Sequence, residues 1–493
     1  VGRLHKEAPL RVCLAYPSPY HVAMSSLGFQ RIYRALMDFD EMSCERAFLP
    51  DEGRPADEAP VTYESLASLT DFPVVALSVA YELELAGLIK LFTTAKIPPL
   101  RTDRDGRFPF ILAGGPLTFS NPLPLAAFAD AIIMGEAEEL APRVCHLIAT
   151  APSRQAALDA LAAIDHVFVP ALHGDNMPTV ARVDDALLPA YSAIRTPHTE
   201  LSDMFLIETE RGCSRGCTYC VMRRSTNGGM RVVPKAEILA KIPHDARRVG
   251  LVGAAVSDHP KIVEIVRELA GQGKEVGLSS LRPDRLSDDF VGALKLAGYR
   301  TLTTAMDGPS ERLRETLERR ARVKHLVAAA ERARQHGMDR LKLYLMVGLP
   351  TETEDDIDEC AAFTSELSKI VPVALGIAPF CAKRNTPMDG AAFAGVDVVE
   401  RRLDRLRKGL RGRADVRSTS AKWAWVEYVL AQGGQAEGRA VLDAVRAGGG
   451  FAAYKKAFAA IPSSTPRRKL NIVREGAAAA PPASPASTCS TPE

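Results

Sequence analysis

The chain has 493 residues, 46% of them hydrophobic and 25% charged, with a net charge of +2. That length supports more than one core, on the order of three domains at roughly 150 residues each, and the nearly balanced charge gives no whole-chain attraction to nucleic acid. Nine cysteines in so long a chain do not form a disulfide framework, and no apolar run reaches the ~18 residues of a membrane helix. Residues 1–10 carry charges and a proline without the apolar segment of a secretory leader. The expectation is a soluble, cytoplasmic protein without membrane contact.

From the N-terminus strand and helix alternate. Residues 10–16 predict a strand broken by Pro17 and Pro19, and residues 25–37 a helix with Leu27, Ile32, Tyr33 and Leu36 on one side. Further strands are predicted at 44–49, 74–79, 109–113 and 131–134, and further helices at 63–69, 83–94, 123–129 and 137–148. Residues 1–150 are thus expected to form an α/β domain, a doubly wound parallel sheet of about five strands with its ligand crevice at the strands' carboxyl ends. Two of those ends carry glycine, in Gly114-Gly115-Pro116 and Gly135-Glu136-Ala137-Glu138-Glu139. Such glycines let backbone approach a ligand closely, or simply make tight turns. No phosphate-binding fingerprint of the Gly-x4-Gly-Lys or Gly-x-Gly-x2-Gly kind is present, so nucleotide cofactors of those kinds are unsupported. Residues 151–203, with a helix at 155–164, a short strand at 166–169 and Pro178, Pro189 and Pro197 behind them, read as a connector.

Directly after a strand expected at 205–210 come Cys213, Cys217 and Cys220, at spacings of four and three. Three thiolates can hold three irons of a [4Fe-4S] cluster and leave the fourth open, because the nearest flanking histidines are His198 and His244 and the next cysteine is Cys360. A structural zinc site, the alternative, closes its shell with four ligands. Three buried cysteines without a task fit poorly beside Gly212, Arg215 and Gly216, which make this a polar turn.

From residue 204 to 390 strand and helix alternate six times, with strands expected at 205–210, 248–252, 276–281, 300–305, 341–347 and 373–378. This predicts a partial (β/α)6 barrel, in which chemistry sits at the strand carboxyl ends. Those ends read Gly253-Ala254-Ala255, Ser279-Ser280-Leu281-Arg282, Met306-Asp307-Gly308, Gly348-Leu349-Pro350 and Phe380-Cys381-Ala382-Lys383. Residues 391–475 are expected to be helical. Within them 400–417 carries eight Lys/Arg and three Asp/Glu, with Leu403, Leu406 and Leu410 on one helix face, a pattern that usually marks a solvated face. A second helical stretch from Trp423 to Phe458 is expected to cap the barrel. The Ala/Pro/Ser/Thr tail at 476–493, which includes Cys489, has nothing to bury and is expected to be disordered.

The pattern Cys-x3-Cys-x-aromatic-Cys, with Tyr219 as the aromatic, resembles the signature of radical S-adenosylmethionine enzymes. A glycine-marked α/β domain ahead of such a core is similar to the cobalamin-binding domain of the B12-dependent members. The stretches 16–30 and 45–51 resemble one largely uncharacterised subfamily, a likeness running from Leu10 to about residue 460. The resemblance implies a flavodoxin-like (Rossmann-type) cobalamin-binding domain at 1–150 and a TIM-like radical S-adenosylmethionine core at 204–390. Its cofactors would be a [4Fe-4S] cluster on Cys213, Cys217 and Cys220, S-adenosylmethionine on the open iron, and cobalamin. Reductive cleavage then gives a 5'-deoxyadenosyl radical, in this class most often for methylation of an unactivated carbon, with flavodoxin or ferredoxin as electron donor and a substrate the sequence does not name.

The resemblance also implies roles at the strand ends. Tyr219 lies beside the cluster, Gly253, Ala254 and Ala255 face the methionine amino group, and Ser280 and Arg282 face its carboxylate. Asp307 stands where relatives have a glutamate, Gly348 and Pro350 form the adenine side, and Gly114, Gly115, Gly135 and Glu136 approach the cobalamin. Cys381, where relatives carry Pro-Phe-x-Pro-Lys, is a candidate hydrogen-atom donor or methyl carrier, or a packed thiol. The Asp-x-His-x2-Gly motif of other cobalamin proteins is missing, since His21 has Pro19 in the aspartate's place. A cobalt without a protein imidazole is therefore expected. Two other readings stay open: radical chemistry with a non-methylating or vestigial cobalamin domain, and a non-catalytic iron-sulfur sensor. A tRNA methylthiotransferase fits less well, because no second cysteine trio exists.

Overall fold

The computed structural model of the protein describes residues 4, 6–51, 53, 55, 57–222 and 229–462. The expected tail at 476–493, with Cys489, lies outside them. The N-terminal part is built on a six-stranded sheet: β1 (Leu10–Pro19), β2 (Met42–Leu49), β3 (Val74–Ser78), β4 (Phe110–Gly114), β5 (Ala131–Ile133) and β6 (Val167–Phe168). Their order is β2-β1-β3-β4-β5-β6, parallel except for β6, which runs antiparallel to β5. The strands are almost continuously apolar because both faces are covered. Val12, Leu14 and Tyr16 of β1 point into one core with the helices Leu27–Asp38, Leu140–Thr150 and Arg154–Ala162. Cys13 and Ala15 point into the other, beneath helix Glu84–Thr94.

Val426, Leu430, Val441, Leu442 and Tyr454 complete that second core. The C-terminal helices Ala421–Gln432, Gln435–Arg446 and Phe451–Ala459 therefore cover the N-terminal sheet, while Ala421 and Tyr428 of the first also keep the expected contact with the later strands. Asn121, fully buried, fixes them by donating from Nδ2 to the carbonyls of Leu430, Ala431 and Gly433 at 3.2, 3.1 and 2.8 Å, which satisfies orphan acceptors at a helix end.

The second part has three strands ordered β11-β10-β7 and four ordered β12-β13-β14-β15, packed about one core. These are β7 (Met204–Glu208), β10 (Arg248–Val252), β11 (Glu275–Leu278), β12 (Thr301–Asp307), β13 (Arg340–Val347), β14 (Val373–Pro379) and β15 (Ala414–Ser418), all parallel to their neighbours. Two short antiparallel strands, β8 (Glu210–Arg211) and β9 (Arg231–Val232), follow β7.

Several expectations need correction. Residues 63–69 are not helical: Glu45 accepts from the Thr62 and Ser65 hydroxyls at 2.6 and 2.5 Å, and these local bonds hold a turn closed by a Val61–Ser68 bridge. Residues 123–129 contain only a 3-10 turn at Leu125–Ala127. The helix expected through Arg417 ends at Leu410, where Gly412 at φ +75° turns the chain into β15. Residues 154–168, read as connector, supply a helix and the antiparallel edge strand of the N-terminal sheet. The connector proper stitches the two parts together. Gly135 bridges to Ala181, and the backbone of Ala190 and Ser192 bonds along β7.

Candidate active site at facing strand ends

The loop from Cys213 to Cys220 leaves β8 at the carboxyl end of β7. The Arg215 guanidinium grips Asp258, at the end of β10, through two bonds of 2.8 Å, a bidentate geometry that fixes orientation. Thr218 N–H donates to Leu317 O at 3.1 Å. Arg319 pairs with Asp307 and reaches the Cys217 thiol, and the Tyr219 hydroxyl bonds to Asp307. Asp307 itself adopts φ +65° at a register shift in β12, a left-handed conformation costly for a residue with a side chain. Its carboxylate is thus engaged by the cysteine loop and the arginine that supports it.

Burial and then one another's proximity push the Cys213 and Cys220 thiols up, with Cys217 acting on both. The three converge without closing on one point: among the described residues no group of three or more His, Cys, Asp or Glu surrounds a single ion. Thiolates that each ligate a separate iron need no such closure, and the residues present fit a cluster better than a single zinc.

Facing this loop, the β10 and β11 ends are tied together. Ser279 Oγ meets Gly253 N at 3.1 Å and Gly253 O at 2.8 Å, and Val256 N–H donates to Ser280 Oγ at 3.0 Å. Arg282 is buried against Asp284 at 3.2 Å and Arg319 O at 3.4 Å, so its guanidinium already holds protein acceptors. Ala254 is exposed. The turn after β13 is capped by Glu352, which accepts from Gly348 N at 2.9 Å and Leu349 N at 3.2 Å, just ahead of Pro350. Cys381 donates to Ala424 O at 3.0 Å and packs with Leu313, Phe380 and Tyr428. Burial pushes its thiol far up, an environment that suits a small hydrophobe.

A mostly apolar cavity of about 310 Å³ joins the two parts. One side is sheet and helix: Leu14, Ala76, Leu112 and Ile133 with Leu27 and Ile32. Above them lie Gly114, Gly115, Gly135 and Glu136, and the far wall is Glu208, Arg211, Val252 and Gly253. Gly115 has φ +106°, and a Cβ there would come within 2.7 Å of Val79 O. None of the lining residues is a histidine. His21 sits on the surface 3.6 Å from Asp51. The volume and apolar walls are those of a ligand site, and Gly115 and Gly135 line it where the backbone of Val79 and of Ala181 leaves no room for a Cβ.

Two features have no place in the sequence reading. The first is an ion-pair network across the cavity wall. Arg211, two residues before Cys213, bonds Glu208 at 2.6 Å, Glu138 at 2.7 Å and Glu136 at 3.4 Å, while Arg231 bonds Glu136. Glu136 is therefore an anchor between the two parts. The second is Glu210, buried with its carboxylate against Gly253, where a Cβ would run into both oxygens. The only sequence signal for either was charge at a strand end that is otherwise apolar.

Burial pushes the Glu210 carboxyl up to about 7, opposed by bonds from Thr209 and Ala255 and reinforced by Glu208 and Asp258. With a folded-state value above the ordinary 4.5, the folded protein holds this proton more tightly. Its contribution is favourable at low pH and is lost as pH rises from 4.5 to about 7. In urea titrations of the cluster-free protein, Glu210→Gln is expected to exceed wild type at pH 8 by about 3 kcal/mol, at about 1.4 kcal/mol per pH unit, and to show no such gain at pH 5.

Residues 28–170 match the family described as radical SAM proteins, N-terminal, and residues 207–364 match the radical SAM superfamily. The uncharacterized protein MJ0966 of Methanocaldococcus jannaschii is 27% identical over 395 residues, 78% of this chain and 80% of that protein. The ribosomal protein uS12 methylthiotransferase RimO of Geobacter sulfurreducens is 26% identical over 232 residues, 43% of this chain and 49% of that protein. Among solved structures, the radical S-adenosylmethionine methyltransferase TsrM of Kitasatospora setae, with tryptophan substrate and a SAM analog bound, aligns with a TM-score of 0.57 at 13% identity, over 79% of this chain and 76% of that one. A second TsrM structure, with cobalamin and [4Fe-4S] cluster bound, aligns with a TM-score of 0.53 at 12% identity, over 80% and 78%.

Proposed function

Because residues 207–364 form a radical S-adenosylmethionine domain and make the protein a radical S-adenosylmethionine enzyme, we propose that its N-terminal part binds cobalamin and that it methylates an unactivated carbon. The observation that carries this reading is the single cavity shared by the carboxyl ends of the N-terminal sheet and the cluster-bearing strands. The β2-β1-β3-β4-β5 order favours a flavodoxin-like domain with its crevice beside β1 and β3, where the winding direction reverses. The strands from β7 to β14 favour a partial (β/α)6 barrel whose carboxyl ends hold the reacting groups.

When bound, the cluster supplies the electron that cleaves S-adenosylmethionine to a 5'-deoxyadenosyl radical, and the corrinoid carries the methyl group. The chain's own contribution is positional. Cys213, Cys217 and Cys220 hold the cluster, and Arg215, Asp258, Asp307 and Arg319 hold the loop. The residues that would hold the corrinoid are the glycine turns at 114–115 and 135 and the apolar surface of Leu14, Ala76 and helix Leu27–Asp38, and among the described residues no histidine lines this cavity. Among the described residues no helix is long and apolar enough to cross a membrane. A cytoplasmic setting with a flavodoxin or ferredoxin electron donor is part of the proposal. Anaerobic reconstitution with iron, sulfide and hydroxocobalamin tests it. Near-stoichiometric corrinoid and label transfer from methyl-labelled S-adenosylmethionine to an acceptor are expected. Cleavage without any corrinoid uptake would favour radical chemistry with a vestigial N-terminal domain.

A further inference from the structure

The four-stranded sheet β12–β15 turns one face to helices and leaves the other bare. Leu341, Leu343, Leu345 and Val347 of β13, with Leu375 and Ile377 of β14, lie in the core beneath helices Glu354–Ser368 and Val396–Leu410. Side chains alternate along a strand, so Arg340, Lys342, Tyr344 and Met346 share the opposite, inward face. The register sets Ala374, Gly376 and Ala378 of β14 and Asp415 and Arg417 of β15 beside them. This face is uncovered: Tyr344 is 46% exposed, and Ala378, Asp415 and Arg417 are exposed as well. A closed barrel fills its interior with layers of bulky branched side chains, whereas here alanine and glycine hold the middle of the sheet.

Two side chains stand on that floor. The Tyr344 ring lies over Gly376, where a Cβ would come within 2.6 Å of it, and the Lys342 ammonium is 4.8 Å from the ring centroid. The other charges on the inward faces of β7, β10, β11 and β15 are paired: Glu208 with Arg211, Arg248 with Glu275, and Arg417 with Asp415. Lys342 is not, nor is Arg340 at the amino-end rim: among the described residues neither has a carboxylate within ion-pair distance. An ammonium resting on an aromatic ring gains less than one on an acid group, so it can exchange that contact for an anion.

Position ties this pair to the reacting end. Met346, next on the same face, packs in the apolar cluster that also takes Tyr219 of the cysteine loop, and Asp307, at the end of the neighbouring strand, bonds Tyr219. At about 3.3 Å per residue the Lys342 backbone lies roughly 13 Å below Met346. On the other sheet Val252 shares the inward face with Gly250 and also lines the shared cavity. The interior of the barrel proposed above therefore opens into that cavity.

We propose that this face is the substrate site and that the substrate is a small anion. Its carboxylate or phosphate meets the Lys342 ammonium, and its apolar body rests on Tyr344 and points towards the cysteine loop. The proposal rests on the radical S-adenosylmethionine reading and adds the substrate class to it. Gly376 is then required because any side chain there would lift the ring into the space the substrate takes.

The test uses the full chain, anaerobically loaded with cluster, and measures affinity by equilibrium dialysis for 2-naphthoate, 2-naphthyl phosphate and the neutral 2-naphthamide. Wild type is expected to hold at least one of the two acids about fivefold or more tighter than the amide, and the tighter acid identifies the anion. Lys342→Met should abolish that preference, Lys342→Arg should keep it, and Tyr344→Ala should weaken acid and amide alike. Cluster content, read on the same samples, should match wild type in all three variants. No preference for either acid in wild type, or a preference that survives Lys342→Met, would overturn the proposal alone. If wild type takes up no cluster and forms no 5'-deoxyadenosine, the functional reading falls and the substrate role with it, whatever the probes do.

Discussion

Replacing Cys217 by alanine is expected to leave a protein that folds but takes up no stable iron-sulfur cluster and forms 5'-deoxyadenosine only at background. Cys217 is the middle cysteine of the proposed ligand trio, the neighbour that acts on both Cys213 and Cys220, and the thiol that Arg319 reaches. Two thiolates cannot hold a cluster that already has one open iron, and among the described residues no spare cysteine stands by. Cys13, Cys44, Cys145 and Cys360 are buried in packed cores, and Cys381 donates to Ala424 O. Iron and sulfide content, the visible absorbance of the reconstituted protein and 5'-deoxyadenosine by chromatography check this. Cys381→Ala is the matched control. Its thiol fills a packing site, so cluster and cleavage should survive with a stability loss of about 1 kcal/mol.

Removing the Arg211 guanidinium is expected to have the largest effect on stability of any single change outside the cores. The burial that disfavours its charge is more than offset by Glu208, Glu138 and Glu136, which hold it well above the ordinary arginine range. Arg211→Met would strand Glu208 and Glu138 as buried charges, leaving only Arg231 for Glu136. Breaking one side of a buried pair costs about 3–5 kcal/mol, read as a shift in the denaturant midpoint of the whole chain. Because the partners belong to the turn after β5 and to β7, the same variant should also bind corrinoid more weakly. Arg211→Lys should recover only part of either loss, since one ammonium cannot reproduce the fork that contacts three carboxylates.

What could be read in the sequence was what local periodicity and ligand spacing encode. The alternation of strand and helix from Leu10 through Pro379 followed from apolar runs and their breaks, and the Cys213–Cys217–Cys220 spacing pointed to the cluster. What could not be read depends on partners far away in the chain. β15 was hidden by the charges of residues 400–417, because pairing with β14, not propensity, makes it a strand. The aromatic residues after Trp423 gave helices but not the face they cover, which Asn121 decides from some 300 residues earlier. At the site, Gly115 and Gly135 were read as close-approach or tight-turn glycines; both have positive φ, and a Cβ on either would meet the backbone of Val79 or Ala181. Asp307 and Glu136 were placed at strand ends, but their ion pairs with Arg319 and Arg231 depend on partners the sequence does not place. Glu210 was read only as the end of a strand, because its burial against Gly253 and its bond from Ala255 depend on a strand end some 40 residues away.

The most direct measurement is electron paramagnetic resonance of the dithionite-reduced protein reconstituted with both cluster and cobalamin. If the corrinoid and the cluster face one cavity, the cob(II)alamin and [4Fe-4S]+ signals should be split or broadened by magnetic interaction, and Cys217→Ala should restore an isolated cob(II)alamin spectrum. Two independent, unperturbed signals from the doubly loaded wild type would contradict the shared cavity, and with it the proposed route of the methyl group.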